Sequence, residues 1–326
     1  MIRTTARAMA AALAIALTAM TGCAAHAQTY PTKPVKLIVP YGPGGVADIT
    51  SRLLAQKLSI SLGQQIIVDN RPGAGGVVAG QVVASADPDG HTLLLLSNGT
   101  AISAALFRSL PYDTLNDFAP VSNVGVFPVL ILVGKASPMK TVADLIATAK
   151  ANPEKINVGA VNPGSTQELT AQLFKSSTGL NLTIVPFKTT PSLVTALTSD
   201  EIQVAFEIAA PVIGFVRDGA LRPLAVSTAK RFEGLPDVPT VGESGVPGFE
   251  VVSWNAIAAP GKTPKPIIER LNKEILAALK EPDLRQKFAD LGIKAEGGTP
   301  EQAKERLASE IGKWDRVIKD AGIPQQ

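Results

Sequence analysis

Two apolar, strand-like runs in this chain lead straight into glycine-rich turns that open helical patterns. The first reads Val35-Lys36-Leu37-Ile38-Val39-Pro40-Tyr41-Gly42-Pro43-Gly44-Gly45-Val46-Ala47-Asp48. The second reads Ile66-Ile67-Val68-Asp69-Asn70-Arg71-Pro72-Gly73-Ala74-Gly75-Gly76-Val77. A strand that feeds a helix through so short a turn belongs to a βαβ unit, and continuous apolar strands belong to a parallel sheet covered by helices. The first N–H groups of a helix have no intrahelical partner and sit at the positive end of its dipole. Glycine lets a ligand approach them closely, so both turns are candidate sites for a carboxylate or phosphate.

The same rhythm continues. Leu93–Leu96 precedes Asn98-Gly99-Thr100 and a helix. Val129–Val133 reads as a crossing strand, and Thr141-Val142-Ala143-Asp144 as a capping box. A second series follows, with strands at Ile156–Ala160, Leu182–Pro186, Gln203–Phe206 and Leu224–Ser227 separated by helices. Val251–Ala258 reads as a returning strand around Trp254. The C-terminal part is helical and amphipathic, with Ile267, Leu271, Ile275 and Leu279 along one face. Two α/β series joined by two crossing strands predict two lobes with a cleft between them. The predicted division is 28–128 with 250–326 for one lobe and 129–249 for the other. Ligands of open α/β sheets lie beyond the carboxyl ends of the strands, where the glycine turns are expected.

Composition limits the chemistry. The 326 residues hold 31 Lys+Arg, 28 Asp+Glu, 2 His and 1 Cys. Arg3 and Arg7 precede the apolar run Ala8–Met20, which is too short to span a bilayer, and Ala25-His26-Ala27 fits a small-x-small cleavage rule. Residues 1–27 therefore read as a signal peptide, with Gln28 the first mature residue and the periplasm the destination. Met20-Thr21-Gly22-Cys23 outlines a lipobox, which makes lipid anchoring at Cys23 the alternative to soluble release. Taking Arg3 and Arg7 from the 31 basic residues leaves 29 against 28 acidic ones, which is no nucleic-acid footprint. The cysteine leaves with the leader, which excludes a disulfide scaffold. His91 remains, in the turn Asp87-Pro88-Asp89-Gly90-His91. No metal-binding cluster and no nucleophile–base pair follows from these residues, so no cofactor is expected.

Several segments, in this order and spacing, resemble the periplasmic receptors of tripartite tricarboxylate transporters, the Bug-type family. They are Tyr30-Pro31-Thr32-Lys33-Pro34-Val35, the turn Pro40–Asp48, Asn70–Gly76, Ala86–Leu93, Leu221-Arg222-Pro223-Leu224-Ala225-Val226, Val238-Pro239-Thr240, and Glu243–Phe249 before Trp254. The resemblance covers essentially the whole chain. It implies an α/β, two-lobed type II periplasmic-binding-protein fold that closes over a small organic acid, a carboxylate or amino acid. It also implies membrane permease subunits as partners, no catalysis and a monomer. A ligand-sensing role without transport is the neighbouring alternative. Carried over, the first-lobe contacts are Tyr41, Gly44, Gly45, Ala74, Gly75, Ser97, Asn98 and Thr100. The second-lobe contacts are Asn162, Ser165, Thr166, Phe187 and Thr189.

Two departures stand out. The family's Gly-x-Gly-Ser turn followed by histidine is Asn162-Pro163-Gly164-Ser165-Thr166-Gln167-Glu168 here, and its Tyr-Lys-Gly-Gly is Phe187-Lys188-Thr189-Thr190. The wall that reads the distal end of the ligand therefore differs. Glu207, after the strand Val204-Ala205-Phe206, is either a cleft-facing acceptor or an acid on the rim. If it faces the cleft, a ligand with a hydroxyl, amide or ammonium is expected to bind as readily as a dicarboxylate. Lys188 is the candidate second-lobe cation, and Arg71 is an anion clamp or a loop ion-pair partner. Gly42-Pro43-Gly44-Gly45-Val46-Ala47 also outlines a dinucleotide fingerprint, so the enzyme alternative is an exported NAD-type oxidoreductase. Pro43 opposes it by removing an N–H from the loop that would cradle pyrophosphate.

Overall fold

The computed structural model describes residues 30–152, 155–161, 165–320 and 322–325. The expected leader, its cleavage site before Gln28, Cys23 and Asn162 lie outside those residues. Residues Lys33–Gln326 form one unit, described below.

Strands β1 (Val35–Val39), β2 (Ile66–Asn70) and β3 (Thr92–Ser97) are parallel, with β1 in the centre. Helix α1 (Val46–Leu62) joins β1 to β2. It buries Ala47, Thr50, Ser51, Leu54, Ala55, Leu58 and Leu62 at three- and four-residue steps, and it stops at Gly63, whose φ of 69° is the left-handed conformation that closes helices. A single 3-10 turn, Ala74–Gly76, and helix α2 (Val77–Ala84) join β2 to β3, and α3 (Asn98–Leu106) follows β3.

Next comes β4 (Phe118–Gly134), far longer than the expected crossing strand. Its first part, Phe118–Pro128, pairs antiparallel with β9 (Val252–Pro260), which pairs in turn with β3. Its last part, Val129–Gly134, pairs instead with β7 (Val204–Ile208) and β8 (Leu221–Val226). The sequence signal was visible only in Val129–Val133. Upstream, Pro120, Ser122, Asn123, Gly125 and Pro128 interrupt the apolar pattern, and two register shifts accommodate them against β9.

The second half repeats the plan. Helix α4 (Val142–Ala151) starts at the expected capping box: Thr141 Oγ1 accepts from Asp144 N at 3.1 Å, and Asp144 accepts from Thr141 N at 3.0 Å. Strand β5 (Asn157–Val161) lies between β6 (Thr183–Phe187) and β7, parallel to both. Helices α5 (Thr166–Thr178), α6 (Thr190–Thr198) and α7 (Ala209–Arg217) follow β5, β6 and β7. The complete order is β2-β1-β3-β9-β4-β7-β5-β6. Each lobe is thus three parallel strands closed on the inner side by an antiparallel crossing strand, β9 in one and the end of β4 in the other.

The core of the second lobe is one cluster that includes Leu130, Leu132, Leu193, Leu197, Ile202 and Val212. Each such side chain, withdrawn from water, contributes about 1.5–3 kcal/mol. The chain then returns to the first lobe as α8 (Lys265–Ala278), α9 (Pro282–Asp290), a two-residue strand β10 (Lys294–Ala295) on β4, and α10 (Pro300–Asp320), which packs on α3 and β4. Neither α9 nor β10 was expected from the sequence. Among the described residues, no helix is long and apolar enough to cross a membrane.

Candidate functional site

A cleft of about 650 Å³ opens between the two sheets. On one side it is walled by the turn Tyr41–Ala47 with Ser97 and Gly99. On the other it is walled by Val161, Ser165–Gln167, Lys188–Pro191, Glu207, Ile208, Pro211 and Phe215. Phe127, Ser253 and Asn255 of the crossing strands form its floor. Among the described lining residues only Lys188 and Glu207 carry charge.

The parallel strands aim helix starts at this space. Those of α1, α3, α5, α6 and α7 all contribute lining residues. Most have their own side-chain caps. Ser165 Oγ accepts from Glu168 N, Thr189 Oγ1 accepts from Ser192 N, and Ser97 forms a reciprocal capping box with Thr100. Helices α1 and α7 have no such cap, and of the two only α1 starts from a glycine turn. Its N-cap is Gly45, and no side chain satisfies its first turn. Gly44 has φ 84°, and a Cβ there would point into open space rather than at protein. The cleft therefore meets the start of α1 without a side chain in the way, and the first N–H groups of that helix, Val46 to Asp48, have no intrahelical partner.

Asp48, buried in the first turn of α1, holds this loop from behind. It accepts from Gly44 N at 3.0 Å, Arg52 Nε at 3.1 Å and Asn70 Nδ2 at 3.0 Å. Burial alone would raise its pKa; Arg52, Gly44 N and Asn70 together outweigh burial and hold it below the ordinary value. Tyr41 shares a 2.8 Å hydrogen bond with Ser97, and burial raises its phenol above the usual value. Gly99 makes room for the Tyr41 hydroxyl, since any Cβ at that position would collide with it.

In the opposite wall Glu207 is wholly buried. Its Oε1 accepts from Gln167 Nε2 at 2.8 Å and from Ile208 N at 2.7 Å, and its Oε2 accepts from Thr190 Oγ1 at 2.9 Å. Burial raises its pKa, and these three donors oppose the rise. Lys188 is exposed on the cleft margin. Arg71 is paired with its neighbour Asp69 through three hydrogen bonds of 3.0–3.1 Å.

Of the residues expected from the sequence, the cleft brings together Tyr41, Gly44, Gly45, Ser97, Ser165, Thr166, Thr189 and Glu207. Gly75, Asn98, Thr100 and Phe187 are not in its lining, and the side chain of Ala74 lies outside the described residues. The second glycine turn packs against α3: a Cβ on Gly75 would strike Ser103, whose hydroxyl donates to Gly75 O at 2.8 Å, and one on Gly76 would meet Pro40. Thr100 accepts from Ser97 N. Phe187 leans on the second-lobe core. Asn98 is a buried junction. Its Oδ1 accepts from Trp254 Nε1 at 3.1 Å and Trp314 Nε1 at 2.8 Å, while its Nδ2 donates to Thr166 Oγ1 at 3.2 Å across the lobes. Trp254 is thus packed at the crossing strand, wholly inside. Gln167, Phe215 and the floor residues were not anticipated. Gln167 stood in plain view within a departure from the family motif.

A family model described as the tripartite tricarboxylate transporter family receptor, TctC, matches residues 50–323. The chain belongs to this family. Among curated relatives of this chain is protein BugT of Bordetella pertussis, 36% identical over 298 residues, 91% of each chain. A solved Rhodopseudomonas palustris protein with adipate is 35% identical, covers 90% of this chain and 99% of its own, and superposes with a TM-score of 0.85. MatC from the same species, with bound malate, is 32% identical over 89% of this chain and all of its own, with a TM-score of 0.80. The periplasmic binding protein BugD, 30% identical over 91% of this chain and all of its own, gives 0.83. The likeness extends to the two-lobed architecture as a whole.

Proposed function

We propose that this TctC receptor captures a small organic acid in the interlobe cleft, without turning it over, and delivers it to the permease subunits of a tripartite transporter. The observation that carries this reading is the uncapped start of α1, with Gly44 and Gly45 open to the cleft. It is a neutral carboxylate seat, of the kind that helix dipoles and free N–H groups create. Relatives holding adipate and malate, and the family's description as a receptor, support a carboxylate as the ligand. Lobe limits at 28–128 with 250–326 and at 129–249 are part of the proposal, supported by the change of β4 partners between Pro128 and Val129. A monomer acting in the periplasm after cleavage before Gln28 completes it.

A thermal-shift screen of organic acids tests the central claim. Ligand at about 100 times its Kd stabilises by about 2.7 kcal/mol. Stabilisation by NAD and by no organic acid would refute it. Intact mass of the exported protein checks the cleavage, and a diacylglyceryl-modified Cys23 overturns soluble release. Uptake of the identified acid in a deletion strain checks the transport role: lost uptake supports it, and unchanged uptake points to sensing.

A further inference from the structure

Among the described residues Glu207 is the one buried acid in the cleft wall. It lines the cavity from behind Gln167 and Thr190, which both bond to it and line the cavity too, and its side chain is wholly covered. Among the described residues no lysine or arginine pairs with it. Its charge is matched instead by two helix starts. Ile208, the N-cap of α7, donates its N–H, and Thr190 is the first residue of α6. Both placements favour an anion.

All three hydrogen bonds to Glu207 are donated to it, by Gln167, Thr190 and Ile208, which is the pattern of a carboxylate that only accepts. That pattern fixes which way two lining side chains face. Gln167 must turn its Nε2 inward, which turns its carbonyl oxygen away from Glu207. Thr190 must spend its hydroxyl hydrogen on Oε2, which leaves only lone pairs for other partners.

We propose that Glu207 acts through Gln167 and Thr190 to make the second-lobe wall an acceptor surface, so that the ligand's distal end is a hydrogen-bond donor and the preferred ligand is an amino or hydroxy monocarboxylate rather than a dicarboxylate. This rests on the receptor reading and sharpens it. The first lobe seats the carboxylate with main-chain donors, and the second lobe meets it with acceptors. A second carboxylate would face lone pairs on both side chains and a buried negative charge behind them, and specificity of this kind arises by repulsion as much as by attraction. Glu207 is therefore a positioning residue, and Gln167 and Thr190 are the groups that touch ligand.

The test measures dissociation constants by calorimetry, on the full chain, for matched ω-amino, ω-hydroxy and ω-carboxy acids of graded chain length. The wild-type protein is expected to favour the amino or hydroxy member over the matched dicarboxylate by about tenfold or more, the worth of one well-placed hydrogen bond. Glu207→Gln can donate as well as accept, which frees Gln167 to present its amide N–H. This variant is expected to collapse or invert the preference while tightening the dicarboxylate. A purely structural role would weaken every ligand equally. Thr190→Val, which removes one acceptor and leaves Glu207 in place, is expected to narrow the preference and serves if the first variant does not fold. Wild-type preference for dicarboxylates, or a preference unchanged in both variants, overturns the inference and leaves the receptor reading standing. Failure of every acid to bind overturns both.

Discussion

Asn98→Leu should cost this protein a large part of its stability. Asn98 is wholly buried, as are Trp254 and Trp314, whose indole N–H groups both end on its Oδ1. Indole nitrogen donates and has no second option. Leucine is close to asparagine in size, so the substitution removes the acceptor and leaves two buried donors unpaired, each worth about 1–3 kcal/mol. The Thr166 hydroxyl, at the cleft, can turn to water, so its loss adds little. The expected loss is about 2–6 kcal/mol against a total of about 5–15 kcal/mol for a folded protein. At about 2–4 °C per kcal/mol, Tm should fall by about 4–24 °C. Urea unfolding followed by intrinsic fluorescence is the natural assay, because Trp254 and Trp314 are the only tryptophans in the chain. Their emission in the folded variant should shift as well. A loss below about 1 kcal/mol with unchanged emission, or normal stability with abolished ligand binding, would refute the reasoning and make Asn98 a ligand contact after all.

Gly44→Ala places a methyl group in the cleft at a φ of 84°; stability should fall by about 1–2 kcal/mol, while affinity for the organic acid falls by at least tenfold in calorimetry. Burial pushes the Tyr112 phenol up to about 12. The folded state therefore keeps a proton that the unfolded chain releases near pH 10, and stability is present below that pH and is lost as pH rises toward 12. Denaturant midpoints across that range check this, and Tyr112→Phe should flatten the decline.

The regular part of this architecture was readable from the sequence because each local signal agreed with its neighbours. Strands such as Leu37–Val39 and Val204–Phe206 are continuous and apolar, and the Thr141–Asp144 cap is a strictly local bond. The start of β4 was hidden because a segment with buried prolines, a glycine and polar residues becomes a strand only by pairing with β9, 124 to 142 residues away in sequence. The glycine turns looked alike and are not. Which one faces the cleft depends on Ser103 and Pro40 packing against the second. The family resemblance implies Asn98 as a ligand contact, but its partners here lie 68, 156 and 216 residues distant. Glu207 was visible as an acid after an apolar strand. Its coupling to Gln167 and Thr190 was not, since a strand end and two separate helix starts must converge before it exists.

The position of β9 has a consequence for how the protein is made. That strand sits between β3 and β4, yet it is synthesised more than a hundred residues after either, and Trp314 on α10 later still. A nascent chain holding β1 to β8 lacks the strand that joins its two halves and the indole that seals Asn98. Native structure is therefore postponed until nearly the whole polypeptide has left the ribosome, since such distant pairings cannot reward the entropy of closing the loop any sooner. A chain that stays unfolded this long suits the export proposed above.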